Sequence, residues 1–284
     1  MPGNLVRRLE ANARGRPGKP AIIHDGEMIT WKRLEGRAGA VAASLAGQGI
    51  GPGDRVAVHL ENPADLTAAV IGALKTGAAV TPLNPRLNDD EREVIVADLA
   101  PRFVVRTLDD GGAEFACRDV DGGAAAFILY TSGSTGAPKG VMLSHDATAV
   151  ALSHWRGPVM DLGEDDVVLS ALPAAHSFGI FGGILAPLVA KASVVFLARF
   201  TPEDALASIA RHRVTVFPGV ATMFRRILEL IDDLRPVQSA RCWRQRNRLT
   251  PSPTIGEVCP PFSQMGQNRG MDAASAARTS ACTS

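Results

Sequence analysis

The residues best suited to chemistry lie in one stretch, Ile128 to His145, reading ILYTSGSTGAPKGVMLSH. An apolar run from Ala124 to Tyr130 leads into it and reads as a buried strand. Small and hydroxyl-bearing residues follow: Thr131, Ser132, Gly133, Ser134, Thr135 and Gly136. Then come Pro138, Lys139 and Gly140, and a short apolar return through Val141, Met142 and Leu143. Glycine has no Cβ, so backbone N–H groups can turn toward a ligand. Successive N–H groups in such a turn form a nest that binds anions. The Ser and Thr hydroxyls add donors, and Lys139 adds a full positive charge. The combination suits a loop that holds a polyphosphate.

Two familiar phosphate loops do not fit. The P-loop needs Gly, four residues, then Gly-Lys-Ser/Thr, whereas Lys139 precedes Gly140 and Val141 follows. Gly133 and Gly136 match only the latter half of G-x-G-x-x-G. An ordinary surface turn also favours Ser, Thr and Gly. The Pro-Lys-Gly suffix and the flanking strands set this stretch apart from one.

The string YTSGSTGAPKGVMLSH resembles the phosphate-binding signature of the adenylate-forming (AMP-binding) superfamily, almost without a break over its sixteen residues. That group takes in acyl-CoA synthetases, adenylation domains and luciferases. The resemblance implies ATP with Mg2+, attack of a carboxylate on the α-phosphate, and an acyl-AMP intermediate with release of pyrophosphate. Transfer to a thiol such as coenzyme A would follow. It implies that Thr131, Ser132, Gly133, Ser134, Thr135, Gly136 and Lys139 bind the nucleotide, and that Lys139 is catalytic.

LPAAHSFG, Leu172 to Gly179, resembles the superfamily's Pro-x-x-His-x-x-Gly stretch. On that resemblance His176 is a catalytic residue that touches the substrate carboxylate or gates its pocket. A lone His in an apolar run is more often a core residue; a second family match in the right order favours function. LKTGAAVTPLNPRL, Leu74 to Leu87, resembles a structural signature, and reads as a helix–turn–strand junction with Gly77 as the C-cap. VTVFPGVATMF resembles the segment before the adenine pocket. The acid is expected to be a fatty acid, from the resemblance and from the apolar run Phe178-Gly179-Ile180-Phe181. A non-catalytic phosphate-binding remnant and an adenylation domain serving a carrier protein are the alternatives.

Strands and helices alternate around these motifs. Asp25-Gly26 marks a hairpin between Ala21–His24 and Met28–Trp31. Thr30 can cap a helix carrying Leu34, Ala38, Val41 and Leu45 at helical spacing. Strands are predicted at 55–60, 78–82, 103–105, 167–172, 192–197 and 214–217, and helices at 64–75, 89–100, 147–155, 203–212 and 221–231. Thr201 and Pro202 make a strong start signal for the 203–212 helix. The alternation predicts an α/β fold with a mostly parallel, doubly wound sheet flanked by helices. By the resemblance this is the N-terminal part of the large adenylate-forming domain, with the small C-terminal domain absent.

The 284 residues, 46% hydrophobic and 21% charged, suit a globular chain of one or two domains. A net charge of +1 gives no electrostatic footprint for nucleic acid. The four cysteines form no C-x-x-C pair, which argues against a zinc site or a disulfide framework and for a reducing, cytoplasmic setting. The N-terminus lacks the apolar core of a secretory signal. The uncharged run from Val167 to Ala190 approaches a membrane span in length, but Pro173, Pro187 and three glycines interrupt it. A buried strand, loop and helix explain it better, with no transmembrane segment and room for peripheral membrane contact. The expected division is a partial AMP-binding domain over 1–235 and an irregular tail over 236–284. Pro236 to Ser284 holds no Lys, only Glu257 and Asp272 as acids, and three of the four cysteines. Its composition suggests a disordered or out-of-frame tail, and a truncated chain with impaired activity.

Overall fold

The computed structural model of the chain describes residues 4–108, 111–131 and 138–234. Helix α1 (Arg7–Gly15) precedes a hairpin of β1 (Pro20–His24) and β2 (Glu27–Thr30). Asp25 and Gly26 both take positive φ, 49° and 80°, as the two-residue hairpin turn requires. Thr30 then caps α2 (Trp31–Gly47) by accepting from the Arg33 N–H. β3 (Arg55–Val58), α3 (Pro63–Lys75), β4 (Ala79–Pro82), α4 (Asp89–Leu99) and β5 (Phe103–Val105) follow as parallel strand–helix units. α4 starts in a full capping box between Asn88 and Glu91.

β6 (Ala125–Thr131) and β7 (Lys139–Ser144) form an antiparallel pair that leads into α5 (His145–His154). The chain then runs through a short π-helical turn, Trp155–Val159, to β8 (Val167–Ser170). A second π-helical segment, Phe178–Leu185, leads into α6 (Ala186–Val189) and β9 (Ser193–Phe196). α7 (Pro202–His212) and α8 (Ala221–Leu234) complete the described chain. Thr201 caps α7 through the Asp204 N–H, with Pro202 in its first turn.

The strands fall into two sheets, ordered β2-β1-β9-β8 and β5-β3-β4-β6-β7. All pairings are parallel except β1–β2 and β6–β7. α3 is buried along almost its whole length, as a helix apolar on all sides must be. A Cβ on Gly72 would lie 2.7 Å from the Ala38 carbonyl, so glycine lets α2 and α3 approach. The run Val167–Ala190 resolves as the expected strand, loop and buried helix. No helix among the described residues is long and apolar enough to cross a membrane.

One sequence expectation is corrected. Residues 214–217 form no strand; Val216 makes a single parallel bridge to Val168. The Thr215 hydroxyl donates to Asp166 and accepts from the Val167 N–H, and backbone bonds between 215–216 and Val167 and Leu169 join it, which ties this segment to the base of β8.

Gly77 stands just after α3 with φ +86°, where a Cβ would lie 2.7 Å from Val120 Cγ1 and 2.9 Å from Pro52 Cγ. Left-handed backbone costs an L-residue about 1–2 kcal/mol, and the contact adds to it. Gly77→Ala is expected to lower the unfolding free energy by about 1–3 kcal/mol in urea titrations.

Candidate functional site

The two strands that flank the sequence motif meet where expected. β6 and β7 pair from Ala125↔Ser144 to Thr131↔Lys139, so Thr131 and Lys139 face each other at the open end of the ribbon. Both side chains are exposed there. Ser132, Gly133, Ser134, Thr135 and Gly136 lie outside the described residues.

Just inside this mouth Tyr130 pairs with Gly140. A Cβ on Gly140 would lie 3.2 Å from Tyr130 Cζ, so the ring covers the glycine backbone. The Tyr130 hydroxyl donates to Asp98 Oδ2 of α4 at 2.6 Å. Burial first, and then this bond to the Asp98 carboxylate, push the phenol pKa up, so Tyr130 keeps its proton and remains a donor. At the far end Ser144 caps α5 through the Ala147 N–H at 3.1 Å. His145, the motif's last residue, is fully buried, and its Nδ1 accepts from the Leu5 N–H at 3.4 Å. Burial lowers its pKa, which favours a neutral imidazole. His145 is therefore a core residue.

The second motif makes a tight turn. The His176 N–H donates to the Pro173 carbonyl at 3.1 Å, and the Ile180 N–H donates to the His176 carbonyl at 2.9 Å. A Cβ on Gly179 would lie 2.0 Å from that Pro173 oxygen. The proline, histidine and glycine of the pattern are thus three parts of one turn, and it leaves the His176 side chain exposed. Beyond it Phe178 stacks on Trp155, 5.0 Å between centroids. Ile180 and Phe181 point into the core, where Phe181 meets Phe127 edge-on at 5.2 Å. These two side chains therefore pack the interior of the fold.

A cleft of about 660 Å³ opens between the two sheets, at the carboxyl ends of β1, β3, β4, β8 and β9. Ligands of open α/β sheets bind at such ends. Pro173, Ala174 and Ala175 of the His176 turn line it, together with Asn62, Asn84 and Arg86. Thr131, Lys139 and His176 are not part of that lining. His24 and Ser170 border the cleft and are buried, and among the described residues His24 Nδ1 and Ser170 Oγ have no hydrogen-bond partner. The segments LKTGAAVTPLNPRL and VTVFPGVATMF contribute Asn84, Pro85, Arg86, Val220, Thr222 and Met223 to the lining, and motif reading gave the remaining cleft residues outside Leu172–Gly179 no site role. The signal that locates most of them is positional: they stand at or just after the carboxyl ends of parallel strands. Among the described residues no group of three or more His, Cys, Asp or Glu side chains could hold a metal ion.

Comparison with known proteins agrees with this geometry. The family model described as AMP-binding enzyme matches residues 9–117 and 110–261. The nonribosomal peptide synthetase CymA of Salinispora arenicola is 32% identical over 236 residues, covering 78% of this chain and 3% of CymA. A methyl-dioxo-octahydro-indenyl propanoyl:CoA ligase of Mycobacterium tuberculosis is 32% identical over 264 residues, covering 78% of this chain and 52% of the ligase. Among solved structures, ATP-bound MatB of Rhodopseudomonas palustris superposes with a TM-score of 0.73 at 30% identity, over 81% of this chain and 51% of MatB. The chain thus spans about half the length of the ligases it matches and a small part of the synthetase. With the family model spanning both motifs and most of the chain, the protein belongs to the AMP-binding enzyme family of the adenylate-forming superfamily.

Proposed function

We propose that the chain carries the ATP-handling half of a ligase that activates a carboxylic acid. In this reading a carboxylate oxygen bonds to the α-phosphorus of ATP as the α–β phosphoanhydride bond breaks. Pyrophosphate leaves and an acyl-adenylate remains. A thiol, here coenzyme A, then attacks the acyl carbonyl, gives its proton to solvent or a base, and displaces AMP. The single observation that carries the reading is the Thr131–Lys139 pair, exposed at the mouth of the β6–β7 ribbon in a member of the AMP-binding family.

Lys139 and the Thr131 hydroxyl fit a phosphate chain: one supplies a compact positive charge, the other a donor. Ser132, Gly133, Ser134, Thr135 and Gly136 complete the cradle in this reading. Mg2+ would arrive on the triphosphate, since such sites take most of its ligands from phosphate and water. His176 faces the acid's carboxylate. A fatty acid is the finer choice, supported by the half-buried Phe178–Trp155 stack beside the His176 turn. A cytoplasmic setting and a domain limit near residue 235 belong to the same reading, and limited proteolysis that leaves a core ending near Leu234 tests the limit. The likeness to CymA supports a second reading, in which a carrier protein supplies the thiol.

Pyrophosphate exchange with a panel of carboxylic acids tests the proposal, followed by thioester assay with coenzyme A and with a phosphopantetheinylated carrier. Exchange with at least one acid supports it. No exchange, with no thermal shift on adding ATP, sinks it. An ATP-dependent shift without exchange marks a phosphate-binding protein that does not turn over. His176→Ala is expected to raise KM for the acid or lower the exchange rate by up to about 10²-fold, the cost of a misplaced substrate, with an unchanged melting temperature because the side chain is exposed.

A further inference from the structure

We propose that Tyr130 is a positioning residue for Lys139, acting through its hydrogen bond to Asp98. The inference rests on the reading that Lys139 meets the phosphates of ATP.

Tyr130 lies one residue before Thr131, and its strand partner Gly140 lies one residue after Lys139. The Tyr130 ring covers Gly140: an added Cβ there would stand 3.2 Å from Cζ, 3.3 Å from Oη and 3.1 Å from Ile128 Cγ2. The ring therefore bears directly on the backbone that carries Lys139. Its outer end is fixed by the 2.6 Å bond to Asp98. Asp98 sits on α4, which is a firm support. Its residues Ile95 and Leu99 are buried in one cluster with Leu83 and Ile128, and its first turn is closed by the Asn88–Glu91 capping box.

The other side of β7 offers no such support. Among the described residues β7 is the last strand of its sheet, and Lys139, Gly140, Val141 and Met142 are all exposed. An edge strand of this kind is held by its one neighbour alone. The Tyr130–Asp98 bond adds a side-chain brace at the end where that neighbour's pairing stops. Lysine makes the brace matter. Its ammonium is a point charge on a flexible stem with no fork geometry to correct its aim. Its placement at a phosphate therefore depends on where the backbone starts. Small displacements of a positioning group carry large penalties.

The substitutions that test this are Tyr130→Phe, Asp98→Ala and Asp98→Asn. Tyr130→Phe keeps the ring on Gly140 and loses the hydroxyl. ATP dissociation constants measured by calorimetry are expected to rise 3- to 10-fold for Tyr130→Phe and Asp98→Ala. Asp98→Asn keeps an acceptor for the phenol and is expected to restore near wild-type affinity. In a Lys139→Ala background Tyr130→Phe is expected to add nothing, because the brace acts through the lysine. Amide hydrogen exchange over 139–141 is expected to quicken in Tyr130→Phe.

A bond that only stabilises the fold predicts otherwise. Tyr130→Phe would then lower the melting temperature, leave ATP affinity unchanged, and act equally with or without Lys139; that pattern overturns the inference. If wild-type protein fails to bind ATP, the phosphate reading of the loop fails instead. The exchange measurement still decides on the brace, and unaltered exchange over 139–141 overturns it.

Discussion

Replacing Lys75 with methionine is expected to destabilise the protein by about 3–5 kcal/mol, the usual result of removing one member of a buried ion pair. Lys75 is fully buried at the end of α3. Its ammonium bonds Glu10 of α1 at 3.0 Å and Glu35 of α2, so one charge ties three helices together. Glu10 in turn accepts from the Cys117 N–H at 3.0 Å, and burial pushes the neighbouring Cys117 thiol up to about 12, which leaves it an inert core thiol. Methionine fills the volume of lysine but leaves two carboxylates facing each other without a cation. For a domain of this size the loss corresponds to about 6–20 °C in melting temperature.

The pH dependence gives an independent check. Burial raises the Glu35 pKa in the folded protein, while its bonds to Lys75 pull the other way. A carboxyl whose folded pKa is raised binds more protons folded than unfolded, so stability falls as pH rises from the unfolded pKa through the folded one. Removing Lys75 takes away the opposing influence and extends that window upward. The Lys75→Met protein is therefore expected to recover part of its lost stability between pH 7 and pH 5. The wild type is expected to change less over the same range. A variant that melts within a degree or two of wild type at pH 7 would show that the triad contributes nothing net.

Lys75 also marks where sequence reading stops. A lysine at the end of a helix, next to a Gly C-cap, looks like a solvated last-turn cation. Its partners Glu10 and Glu35 stand on separate helices, and only the packing of α1, α2 and α3 reveals that all three side chains share one interior point. Signals confined to neighbouring residues were legible. Asp25-Gly26 gave its hairpin, Thr30 and Thr201 their caps, and Gly77 its turn. The β-branched run at 214–217 misled, because a strand also needs a continuous partner, and Val216 finds one bridge only. The apolar run 178–181 reads in favour of a fatty acid, yet Ile180 and Phe181 are interior, since apolar composition alone does not say which side of a helix faces a ligand. The cleft was invisible for a similar reason. Its walls come from the ends of five strands, the loops after them and the start of α8, and only the packing of the two sheets brings these separate segments to one place.

Lys139→Ala is expected to lower the pyrophosphate-exchange rate about 10²- to 10³-fold, the typical loss when one preorganised electrostatic group is taken from a transition state. The fold gives no reason for a stability change. Lys139 is exposed on an edge strand, and substitutions at such places stay within about 0.5 kcal/mol. Wild-type and variant melting curves are therefore expected to coincide without ATP and to separate with it. Lys139→Arg is expected to recover only part of the rate, because a planar guanidinium cannot occupy the place of a compact ammonium at the same distance from the strand. Salt offers a second test of the same charge. An exposed cation acting on a polyanion is screened over about 10 Å at 0.1 M ionic strength. ATP affinity of the wild type is then expected to fall more steeply between 0.05 and 0.5 M salt than that of Lys139→Ala. Equal salt slopes and equal exchange rates in the two proteins would place the triphosphate away from the β6–β7 mouth, and with it the reaction assigned to this chain.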